Sequence, residues 1–148
     1  MVESTSIGID ERQLLDALSA LEQGDFTRRL PTGAAGTAGE IAATVNALLA
    51  QCEQFASEFN RITREIGDEG RFGGQAEVEG LSGEWKLLID NLNAMSANLT
   101  CQIRDFSQTT HALVNGSTQR RVTVSASGET AELKETINKL IDRHAAPA

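Results

Sequence analysis

Few residues in this 148-residue chain could do chemistry, and their spacing does not gather them. His111 and His144 have no partner at ligand spacing, so each reads as a helix-surface residue rather than a general base or phospho-acceptor. Cys52 and Cys101 lack any Cys-x-x-Cys or Cys/His spacing, which argues against a metal site or a redox motif. Gly70–Gly74 is not followed by the Lys-Ser/Thr of a phosphate-cradling loop. Glu40, Glu84, Glu129 and Glu132 look like paired acids but fall at expected helix starts. There a carboxylate meets orphan N–H groups and the positive end of the helix dipole. No catalytic residue, cofactor or metal is expected.

The formal net charge of −8 argues against nucleic acid as a partner, because such binding rests on Lys and Arg neutralising phosphates. The basic doublets Arg28-Arg29 and Arg120-Arg121 read as solvated loop charges. The sequence has no run of 18 apolar residues and no signal peptide, so no membrane contact and a cytoplasmic setting are expected.

What positions these residues is a pattern stated three times. Glycine, nine residues and asparagine recur as Gly36…Asn46, Gly83…Asn93 and Gly128…Asn138. Apolar residues stand five and one positions before each asparagine (Ile41 and Val45, Leu88 and Leu92, Leu133 and Ile137), and two positions after it (Leu48, Met95, Leu140). A period of about 45 residues implies an array of small modules. Each is too short to bury a useful core alone, so stacking or oligomerisation must supply it.

The helices follow from the apolar spacing. Leu14, Leu18 and Leu21 place a coiled-coil seam on a first helix over about 10–23, which Gly24 ends. Ile41, Val45, Leu48, Cys52, Phe55, Phe59, Ile62 and Ile66 alternate steps of four and three over a long second helix. So strict a heptad seam asks for a partner helix with the same seam. A third long helix carries Leu88, Leu92, Met95, Leu99, Ile103, Phe106, Thr110 and Leu113, with a stutter at Met95–Leu99–Ile103. Leu133, Ile137 and Leu140 mark a last helix that stops before Pro147. Between the helices run glycine-led connectors with apolar residues to tuck inward: Gly24 with Phe26 and Leu30, Gly70 with Phe72, Ala76 and Val78, and Gly116 with Val122 and Val124. The last seam residue lies three before the glycine in the first and third repeats (Leu21, Leu113) but four before it in the second (Ile66). One residue is about 100° of helix rotation, so either the second repeat differs in phase or its connector has drifted in length.

Helix, glycine-led connector, then a helix opening Gly-x-x-x-Glu and reaching Asn resembles the HAMP domain. The matching residues are Gly24-Asp25-Phe26, Gly36 through Glu40 to Asn46, and Gly128 through Glu132 to Asn138. The run from Gly83-Glu84-Trp85-Lys86 to Asn93, continuing over Asn98–Arg104, is similar to the concatenated HAMP arrays of soluble hybrid histidine kinases. The resemblance spans about residues 10–144 and implies three modules, 10–58, 59–104 and 105–144. It implies an all-α fold in which each module is a parallel four-helix coiled coil formed by a homodimer. The seam residues named above are then the relay and dimer core, and no catalysis is implied. Two departures are visible. Ser117-Thr118 replace the Asp-apolar pair after the third connector's glycine, so that connector is expected to dock loosely. Leu87 stands where the other repeats have Glu40 and Glu132.

Two functions fit this reading. One is a signal relay between adjacent sensor and output domains of a histidine kinase or chemoreceptor-like protein. The other is a structural parallel coiled-coil spacer that dimerises without switching. A relay needs two packings close in free energy, whereas a spacer needs one. In a parallel dimer Cys52, on the seam, would face its own copy, while Cys101 would point elsewhere.

Overall fold

The computed structural model describes residues 8–146, and Pro147 lies outside them. Four helices account for its regular structure: α1 (Glu11–Glu22), α2 (Gly36–Gly67), α3 (Gly83–Val114) and α4 (Gly128–Ala145). There is no strand among the described residues, which form an all-α structure. No helix among them is long and apolar enough to cross a membrane.

Local chemistry sets the helix ends. Asp10 caps α1, its carboxylate accepting from the N–H groups of Arg12 and Gln13 at 2.9 and 3.2 Å. Gly24 closes α1 at φ 87°. Its N–H donates to the Leu21 carbonyl, and that of Asp25 donates to Ala20. Gly116 (φ 90°) repeats this geometry at the end of α3, with Gly116 donating to Leu113 and Ser117 to Ala112. In both the outer bond spans five residues, as in a Schellman motif. After α2 the corresponding bond runs from Arg71 N–H to the Glu65 carbonyl and spans six. The spacing of four rather than three before Gly70 is thus a longer helix exit. At the other helix ends Gly36, Gly83 and Gly128 share φ values of 68°, 59° and 54°, a region that side chains with a Cβ rarely adopt.

α2 begins at Gly36, so Glu40 falls in its second turn and the first turn holds no acid. This corrects the expectation of a helix-start role for Glu40. Glu84 and Glu129 do lie in first turns, but Glu132 does not. At the start of α4 the Thr130 hydroxyl accepts from the Ser127 N–H and donates to the Ser127 carbonyl.

The chain divides into two compact units. Within the described residues, the first comprises 8–64 with 76–86. Its core is Ala17, Leu30, Ala42 and Leu49, with Ile9, Leu14, Leu21 and Val45 packed around it. Trp85 meets Phe55 edge to face with ring centroids 5.4 Å apart. The second unit comprises 65–75 with 87–146. Phe106, Val122, Ile137 and Ile141 form a core there, with Leu113 and Val124 against it.

Candidate functional site

Each connector is held down by an apolar residue six positions past its opening glycine: Leu30, Ala76 and Val122, all buried. In the first and third repeats that residue is also clamped through its backbone. The Asn46 Oδ1 accepts the Leu30 N–H at 2.7 Å, and the Asn46 Nδ2 donates to the Leu30 carbonyl at 3.0 Å. Asn138 makes the same pair with Val122, at 2.9 and 3.2 Å. One side-chain amide thus satisfies both backbone groups of a residue that packing has taken out of water. Asn46 and Asn138 therefore each hold a connector. Asn93 is half-buried in the second repeat.

Charged side chains add tethers. Arg29 reaches Glu53 at 2.8 Å, and Arg121, at the same place in the third connector, reaches Asp142 at 2.6 Å. These pairs are exposed, so solvent screens them, although the guanidinium holds the Asp142 carboxyl below the usual carboxylate range. Asp25 is also held low, first by the Thr27 hydroxyl and then by the Thr27 N–H. On α2, Glu58 accepts the Glu77 N–H at 2.8 Å and pairs with Arg61. Those two partners, Arg61 foremost, lower its pKa from 4.5 to about 2. On α3, Asp105 Oδ2 accepts the N–H groups of Thr123 and Val124, both at 2.9 Å, while Oδ1 takes Arg120 at 3.0 Å. Burial pushes the Asp105 carboxyl up, but the two N–H groups and the guanidinium outweigh it and leave the pKa lowered. Lys134 Nζ donates to the Val124 carbonyl and Gln102 Nε2 to that of Ser125. The third connector, expected to dock loosely, is thus held by several polar tethers.

The residues expected to form the relay and dimer core separate into two sets. Cys52, Ile62, Leu92, Phe106 and Ile137 are buried within the chain, and Leu14, Leu21, Val45, Phe55, Ile66, Leu99 and Leu113 are half-buried. The residues at five before and two after each asparagine are exposed: Ile41 38% and Leu48 37%, Leu88 52% and Met95 56%, Leu133 46% and Leu140 43%. Leu18, Phe59 and Ile103 are exposed with them. Of the connector residues, Phe26, Phe72, Val78 and Val124 are half-buried.

Several deeply buried side chains were not among those expected. Ala42, Leu49, Ile89, Ser96 and Ile141 each follow an exposed seam residue by one position and are buried. A search confined to a narrow heptad stripe passes over the flank that faces the chain's own connector and helix. The signal was present three residues after each repeated asparagine, at Leu49, Ser96 and Ile141. The middle repeat departs by placing Ser96 there, whose hydroxyl donates to the Gly74 carbonyl at 2.9 Å. Cys52 is free, and burial raises its thiol pKa, while Cys101 is exposed.

The sequence model of the HAMP domain matches residues 12–54 and 102–143, more than half of the chain. The chain belongs to the HAMP domain family. HAMP domains are non-catalytic signalling domains that relay signals in sensor kinases and chemoreceptors. Asn46 and Asn138, with the connectors they clamp, lie inside the two matched regions. No solved structure matches the chain.

Proposed function

We propose that the chain is a relay array of three HAMP modules, residues 10–58, 59–104 and 105–144. They pair as a parallel homodimer, each module a four-helix coiled coil, in the cytoplasm. The array passes a conformational change between the sensor and output domains of a histidine kinase or chemoreceptor-like protein. The observation carrying this reading is the exposed apolar row. Ile41 and Leu48, Leu88 and Met95, and Leu133 and Leu140 are pairs seven residues apart, one pair per repeat, and all six are exposed in the single chain. Covering each large side chain contributes roughly 1.5–3 kcal/mol, so a matching row on a second copy would hold a dimer. Helices paired along a heptad seam can move against one another, which is what a relay requires.

Two measurements test it. Sedimentation equilibrium is expected to give a dimer whose melting temperature rises with concentration; a folded monomer at micromolar concentration overturns the assembly. For the relay, the chain is placed between a sensor and a kinase output and Asn98–Cys101 is deleted, which removes the stutter. The dimer is expected to persist while output stops responding to input. Unchanged response in a folded, dimeric variant would favour a spacer.

A further inference from the structure

Eight residues before the last seam residue of each repeat, one helix position has three occupants. It is Gln13 before Leu21, Glu58 before Ile66 and Asp105 before Leu113. Seven residues past the connector glycine, the facing position holds Pro31, Glu77 and Thr123. Where the helix carries an acid, the connector offers an N–H to it: Glu77 to Glu58 and Thr123 to Asp105, at 2.8 and 2.9 Å. Where the helix carries Gln13, the connector carries Pro31, which has no N–H to offer. A carboxylate and an N–H facing it are therefore present together twice and absent together once.

The consequences differ between the two ends of the chain. In the third repeat Asp105 binds two consecutive N–H groups and Arg120, so α3 holds the connector by polar bonds. Asn138, Arg121 and Lys134 fasten the same connector to α4. In the first repeat Asn46 and Arg29 fasten the connector to α2. Among the described residues, no side chain of α1 hydrogen-bonds to residues 26–35; Ala17 and Leu30 share an apolar core instead. Apolar packing is non-directional and tolerates sliding, whereas a carboxylate accepting two N–H groups fixes position.

We propose that Asp105 is a latch that makes the third connector follow α3, and that the first connector, with Pro31 in the latch position, can shift on α1. Displacement of α3 then reaches α4 through a fastened link, while the first pair of helices is joined by a slipping one. The latch itself stands on these contacts; its role in transmission rests on the relay reading above.

Amide exchange measured by NMR on the full chain tests the latch with no sensor or output attached, so failure of the relay reading would leave the result unaffected. The Thr123 and Val124 amides are expected to exchange about tenfold more slowly than that of the exposed Thr32. Asp105→Ala should remove that protection and leave the Val122 amide, held by Asn138, unchanged. The reciprocal variant, Gln13→Asp with Pro31→Thr, installs acid and N–H together, with Arg28 already in the place of Arg120. It should confer protection on residues 31 and 32. Unchanged exchange at Thr123 and Val124 in folded Asp105→Ala overturns the proposal, as does a folded double variant without the new protection. Should Asp105→Ala unfold, the double variant alone decides.

Discussion

The first and third connectors do the same work with different fastenings. Both bury one apolar residue, Leu30 or Val122, and both have it clamped by an asparagine sixteen residues on. Beyond that shared centre they diverge. The first is tied by polar bonds to its second helix, and the third to both helices. The comparison separates what builds the module from what couples its helices. The buried residue and its clamp recur because a connector must lose no backbone hydrogen bond on leaving water. The outer tethers differ between the two connectors.

The largest expected effect lies in the shared centre. Leu49→Ala and Ile141→Ala each remove a fully buried side chain. Each should cost about 3 kcal/mol in urea unfolding, with similar values in both regions. A large cost in one region alone would break the equivalence. Next come the clamps. Asn46→Ala and Asn138→Ala each leave a buried N–H and carbonyl unpaired and should cost about 2 kcal/mol, again alike.

Acidification should then separate the regions. Glu58 has its folded pKa lowered from 4.5 to about 2, so its contribution is complete above the unfolded value and disappears as pH falls from about 4.5 towards 2. Asp105 is lowered in the same sense. Amide protection at Glu77, Thr123 and Val124 should fall across the acid range, while that at Leu30, held by a non-titrating amide, should persist. Loss of Leu30 protection in step with the others would contradict the distinction. The smallest effect belongs to the exposed pairs. Arg29→Ala and Arg121→Ala should each cost under about 1 kcal/mol and less at high salt, as shown by melts at two ionic strengths.

Much of the fold was legible because periodic residues report it directly. The glycine-to-asparagine repeat located α2, α3 and α4, and Gly24, Gly70 and Gly116 marked the connectors. Asn46 and Asn138, which the repeat marks, proved to be the residues that hold the connectors. The buried flank of Ala42, Leu49, Ile89 and Ile141 was missed because a heptad search stops at the seam, and these residues lie one step beyond it. Asp105 and Glu58 were missed for another reason. A lone acid on a helix looks like a solvated charge until the chain folds an N–H against it, and no local spacing announces a partner 18 or 19 residues away. Glu40 was misjudged because α2 starts at Gly36, which moves the acid beyond the first turn.

In the paired array the exposed row faces a second copy of itself. Leu48→Cys, Met95→Cys and Leu140→Cys, each made singly with Cys52→Ser and Cys101→Ser, test this by mild oxidation. Side chains at the axis of a parallel, in-register dimer meet their own counterparts within disulfide reach. Each variant is therefore predicted to give a disulfide-linked dimer, with no higher species. Monomer alone at all three positions, in folded protein, would contradict the paired array.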